Sequence, residues 1–126
     1  MASILKVDKI GKTSGSTQDT MEGLCKHWIL LNGTGTIAVT DSFNNTSITD
    51  NGTGDYTITI ANDMSTANFC VATGGGYDED GTTANNRQGP GASNKTTTAF
   101  KLTTGSNTTA ADDWEGAAAQ TLGDLA

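Results

Sequence analysis

The sequence predicts an all-β protein, an antiparallel β-sandwich of jelly-roll-like type preceded by an extended N-terminal arm. Three observations predict it. The chain of 126 residues holds 16 glycines against a single proline, with Thr recurring throughout, as at Thr40, Thr49, Thr57 and Thr59; β-branched side chains suit pleated, half-buried surfaces and glycine serves the turns between them. The tetrapeptide NGTG occurs at 32–35 and again at 51–54, each time between runs of strand-like sequence. Residues 55–60 alternate, with Tyr56, Ile58 and Ile60 on one face and Thr57 and Thr59 on the other, a clean period of two.

A chain of this length suits one ordinary domain, which buries roughly two thirds of its unfolded surface. Its hydrophobic fraction of 34% is low against the roughly 45–50% usual in globular domains, an average that also counts glycine. The core is therefore expected to be thin. A Ser/Thr/Asn/Gly-rich composition is shared with disordered chains, and the alternation is what decides for a fold.

Taken in order, Ile4, Leu5, Val7 and Ile10 form a short apolar segment that ends at Gly11. Residues 11–20 carry no large apolar side chain and have the composition of a flexible linker. Residues 1–25 thus form an anchoring arm and linker, and 26–126 a β-module. Trp28 to Leu31 reads as a strand, Asn32-Gly33 as a type I′ hairpin turn, and Thr36 to Thr40 as the returning strand with Ile37 and Val39 on one face. Asn51-Gly52 marks a second hairpin, between Thr46–Thr49 and Asp55–Ile60.

Asn68 to Thr73 gives a further strand, ended by Gly74-Gly75-Gly76. Residues 74–95 read as a long exposed loop, with Tyr77, Asp78, Glu79 and Asp80 as its candidate contact residues; loops of that length are often functional. Thr97 to Thr103 resumes as a strand, and Gly105 to Thr109 as a turn. The last segment is open to two readings. Asp112 or Asp113 could cap a helix through Ala117, Ala118 and Ala119, whereas Gly116 and Gly123 weaken one.

The formal net charge is −7. Residues 1–26 carry four lysines against three acids, leaving three basic and eleven acidic residues for the body. An acidic body is repelled by a phosphate backbone, so nucleic acid is not an expected partner. No apolar run is long enough for membrane insertion, and the N-terminus lacks the pattern of a secretory signal, so synthesis in the cytoplasm is expected. Cys25 and Cys70 show no CxxC spacing and read as reduced small apolar side chains.

Chemistry has few carriers here. His27 is the only histidine, and beside Trp28 at a strand start it reads as a packed side chain rather than a general base. The carboxylates at 78–80 and at 112, 113 and 115 lie in Gly- or Ala-rich sequence, with no apolar pocket indicated to hold one of them protonated. Asp78-Glu79-Asp80-Gly81 lacks the alternating ligands of a calcium loop, and Gly74-Gly75-Gly76 lacks the Lys-Ser/Thr of a phosphate loop. The expectation is a protein with no catalytic residues, no metal and no cofactor.

The opening MASILKVDKI resembles the N-terminus of many structural proteins from phages of cyanobacteria and other aquatic bacteria. The stretch from Trp28 to Val71, WILLNGTGTIAVTDSFNNTSITDNGTGDYTITIANDMSTANFCV, is similar to a module near the distal end of tail-fibre and minor structural proteins of tailed bacteriophages, with SITDNGTGDYT its most specific phrase. The closing Gly123-Asp124-Leu125-Ala126 resembles how such proteins end. The chain departs from the family in having almost no shaft and an Ala-rich last segment, where the resemblance favours a strand.

What the resemblance implies is a structural protein located in the virion, a short tail-fibre or tail-appendage component that forms a trimer. The arm would anchor it to other virion proteins, and the β-module would meet a host cell-surface receptor. The sparse core and the two tryptophans, Trp28 and Trp114, independently favour an oligomer. A capsid decoration protein is the alternative. A carbohydrate-binding module is third, since a sugar site needs an exposed aromatic platform and the long loop offers only Tyr77.

Overall fold

The computed structural model describes residues 24–76, 90–105 and 110–126. Eight strands run in order: β1 (Cys25–Asn32), β2 (Ala38–Phe43), β3 (Asn45–Asp50), β4 (Asp55–Ile60), β5 (Cys70–Gly76), β6 (Gly91–Ser93), β7 (Ala99–Thr103) and β8 (Gly116–Leu122). They form two antiparallel four-stranded sheets, ordered β2-β1-β8-β5 (sheet A) and β3-β4-β7-β6 (sheet B), packed together as a β-sandwich.

The core comes from the inward positions of the four central strands: His27, Ile29 and Leu31 of β1, Ala117, Ala119 and Thr121 of β8, Tyr56, Ile58 and Ile60 of β4, and Phe100 and Leu102 of β7. Met64, Phe69 and Trp114 close it from the connections. β8 contributes small side chains to this core, Ala117 and Ala119. Helix propensity in residues 117–119 is overridden: burial alternates along β8, and its backbone is paired on both sides, to β1 and β5.

Both NGTG repeats lie in strand connections, but neither contains the expected type I′ turn. Asn32 pairs with Ala38, so the first connection is five residues long, and positive φ occurs at Gly35 (66°), not at Asn32 or Gly33. In the second, positive φ falls at Gly52 (125°) and Gly54 (64°), with Asn51 outside that region. The Asn51 N–H donates to the Asp55 carbonyl at 2.9 Å, closing a longer loop. The glycine at the fourth position of each repeat is at positive φ, joined in the second repeat by Gly52.

Asn44, at φ 58°, turns the chain from sheet A to sheet B. Its amide holds that corner by donating to the Lys26 carbonyl (2.8 Å) while its Oδ1 accepts from the Asn62 N–H (2.7 Å). Gly74-Gly75-Gly76 is not a flexible turn that ends a strand but the second half of β5, paired with Ala118, Ala117 and Gly116. A Cβ on Gly75 would stand 1.8 Å from the Gly116 carbonyl oxygen, so glycine permits that close approach.

Candidate functional site

The outward faces of the two sheets differ in chemistry. On sheet B the outward positions of β3, β4 and β7 are Ser47, Thr49, Asp55, Thr57, Thr59, Ala99, Lys101 and Thr103, with Lys101 in a 2.6 Å ion pair to Asp55. On sheet A, inward Ile29, Leu31, Ala117 and Ala119 leave Trp28, Leu30, Ala118 and Gln120 facing out. Register aligns them into rows across all four strands. Phe43, Trp28, Gln120 and Ala72 form one row, and Asp41, Leu30, Ala118 and Gly74 the next.

Trp28 is 36% exposed and Phe43 55%, directly opposite each other on adjacent strands. Beside them lies a shallow groove of about 450 Å³, its walls and floor formed by Trp28, Leu30, Ala72, Gly74, Ala118 and Gln120. The floor is flat where β5 and β8 carry Ala72, Gly74 and Ala118 outward. No ionisable side chain is among the residues that line it.

Buried polar groups lie inside the sandwich, away from this face. The Tyr56 hydroxyl donates to Asp113 Oδ1 at 2.6 Å, and the Gly54 N–H donates to the same oxygen at 2.7 Å. Burial, reinforced by that carboxylate, pushes the Tyr56 pKa well above the ordinary tyrosine value. Gly33 sits directly over the ring: a Cβ there would be 2.0 Å from the Tyr56 oxygen. The first glycine of the first NGTG is thus required by space and not by φ.

His27 is fully buried, its Nε2 3.3 Å from Asn45 Oδ1 and its ring edge-on to Phe100 with centroids 5.6 Å apart. Burial lowers its pKa despite the Asn45 contact, which favours the neutral imidazole. It is a packed histidine, as its sequence context indicates, and no carboxylate is among its hydrogen-bond partners or the causes of its shift.

Of the other residues singled out in the sequence, Asn32, Gly33, Asn51 and Gly52 lie in the two connections at one end of the sandwich. Ile4, Leu5, Val7 and Ile10, and likewise Tyr77, Asp78, Glu79 and Asp80, fall outside the described residues. Trp114 is only 2% exposed and belongs to the core, leaving Trp28 alone as a surface tryptophan. Cys25 and Cys70 are free thiols. Both pair with Leu122, one from each side, so β8 separates them by two strand spacings, about 10 Å, beyond the reach of a disulfide.

The aromatic row is the feature that residue-by-residue reading misses. Trp28 and Phe43 are fifteen positions apart, and only the β1–β2 register, with its irregularity between Leu30 and Leu31, makes them neighbours. An available signal was the alternation KHWILLN, which places Trp28 opposite in phase to His27, Ile29 and Leu31. No protein family, no curated protein and no solved structure matches the chain.

Proposed function

We propose that this chain is a non-catalytic structural protein of a bacteriophage virion, a short tail-fibre or tail-appendage component whose β-sandwich displays sheet A as its contact face. The observation that carries the reading is the asymmetry of the sandwich: a Ser/Thr-covered face on sheet B and an aromatic, groove-bearing face on sheet A. A sheet face that is merely solvated has no need of exposed Trp28 and Phe43. The arm, through Ile4, Leu5, Val7 and Ile10, attaches the body to another virion protein by strand addition. The module contacts the host cell surface.

Copies of the chain assemble, a trimer being what the resemblance implies. They meet on the side where β2 and β3 are the sheet edges: Val39 pairs with inward Leu31 yet remains 38% exposed, leaving the sandwich open there. Immunogold electron microscopy of intact particles, with antibody raised against the folded chain, tests the location. Label on the tail supports the appendage reading. Label over the head replaces it with capsid decoration, and an unlabelled particle removes the virion assignment. Deleting residues 2–10 is expected to abolish incorporation and leave a folded body; undiminished incorporation would remove the arm's role.

A further inference from the structure

We infer that the groove on the outer face of sheet A is a binding site for a neutral saccharide, with Trp28 as its stacking platform. The inference rests on the reading of the chain as a display module and names what its contact face takes. Three features of the groove select the ligand class.

First, Trp28 supplies an exposed aromatic wall to the groove, in a body whose aromatic rings other than Trp28 and its β2 neighbour Phe43 are buried among the described residues. Aromatic rings favour a partner with an apolar face, which the C–H side of a pyranose supplies. Second, the floor of Ala72, Gly74 and Ala118 has no side chain beyond Cβ, so a flat ring can lie against the sheet beside Trp28. The volume of about 450 Å³ falls within the roughly 300–1,000 Å³ of small-molecule sites.

Third, a polar group stands at the margin. Gln120 flanks Trp28 on β8 with an amide that both donates and accepts. Vicinal hydroxyls are matched by such a group. With no ionisable residue in the lining and a chain of net charge −7, an anionic ligand gains nothing here and is repelled at longer range. An extended peptide would seek a strand edge for its backbone, whereas this groove runs over β1, β8 and β5, of which β1 and β8 are already paired on both sides.

The test uses the full chain titrated with cellotetraose, maltotetraose, mannotetraose and chitotetraose, read by tryptophan emission and by calorimetry. Trp28 is the surface tryptophan and Trp114 the buried one, so a ligand on sheet A changes the solvent-exposed component of the emission. At least one tetrasaccharide is expected to bind with a dissociation constant of about 1 mM or tighter. Trp28→Ala should weaken that binding by at least about tenfold and Phe43→Ala by a few-fold. Retained Trp114 emission and an unchanged far-ultraviolet spectrum certify the fold of each variant.

If no tetrasaccharide binds, or if Trp28→Ala binds as well as the native chain, the inference is overturned. It is overturned equally if sedimentation shows that copies of the chain cover Trp28 and that Trp28→Ala separates them. Particle labelling is independent of these outcomes. Failed binding with labelled tails removes the saccharide and keeps the appendage, and binding with unlabelled particles keeps the groove and removes the virion.

Discussion

Replacing Tyr56 by Phe removes one oxygen from the centre of the sandwich and leaves its shape. That hydroxyl donates to Asp113 Oδ1 at 2.6 Å from a fully buried ring, and hydrogen bonds to charged groups contribute about 1.5–3 kcal/mol. Asp113 keeps its bond from the Gly54 N–H, so the carboxylate is not stranded, and a loss near 2 kcal/mol is expected. The pH dependence follows from the raised pKa of Tyr56. The folded state holds this proton more tightly than the unfolded chain, whose tyrosines titrate near 10. The contribution is therefore fully present below about pH 10 and is lost as pH rises, by up to about 1.4 kcal/mol per unit.

Urea denaturation of the native chain and of Tyr56→Phe, at pH 7 and then between pH 9 and 11.5, gives the difference in stability directly. Lysines and any other tyrosine titrate in both proteins and cancel. The gap is expected to stay constant to about pH 10 and to narrow above it. A gap that stays constant to pH 11.5, or one below about 0.5 kcal/mol at pH 7, would refute the claim that the hydroxyl is a buried donor to Asp113.

Three further outcomes are expected. Thr121→Val should stabilise the protein by about 1 kcal/mol in urea denaturation, because the Thr121 hydroxyl is fully buried with no hydrogen-bond partner and valine keeps its shape. His27 has a folded pKa below its unfolded value of about 6.5, so the unfolded chain binds the proton first; stability should fall as pH drops below about 6.5, and His27→Leu should flatten that part of the profile. Gly33→Ala should cost about 2–3 kcal/mol by thermal or urea unfolding, since its Cβ would displace the Tyr56 oxygen. The cost should be smaller in the Tyr56→Phe background, because the two residues share one contact.

The sandwich was legible in the sequence where period and burial agree. β4 alternates without a break, and β7 follows through Phe100 and Leu102. It was least legible where tertiary pairing overrides local preference. Ala117–Ala119 prefer a helix in isolation, yet they become part of the strand paired to β1 and β5 on its two sides, where Gly75 closely approaches Gly116 at the strand's start. Gly74–Gly76 is read as a turn for want of side chains, although it is the partner that makes that approach possible.

The two NGTG phrases look interchangeable and are not. Gly33 is specified by a tyrosine more than twenty residues away, and no local rule contains that information. The candidate site has the same character. Trp28 marks itself by phase, while Phe43, Gln120 and Ala72 join it only through register, which depends on every pairing across sheet A.

The position of β1 has a mechanical consequence. It is an interior strand, laddered to β2 on one side and to β8 on the other, and it is where the residues preceding Leu24 enter the body. Tension applied along β1 is perpendicular to the hydrogen bonds of both ladders. They are loaded together in shear instead of being peeled one at a time. A body pulled along β1 in this way resists as a block and does not unravel strand by strand.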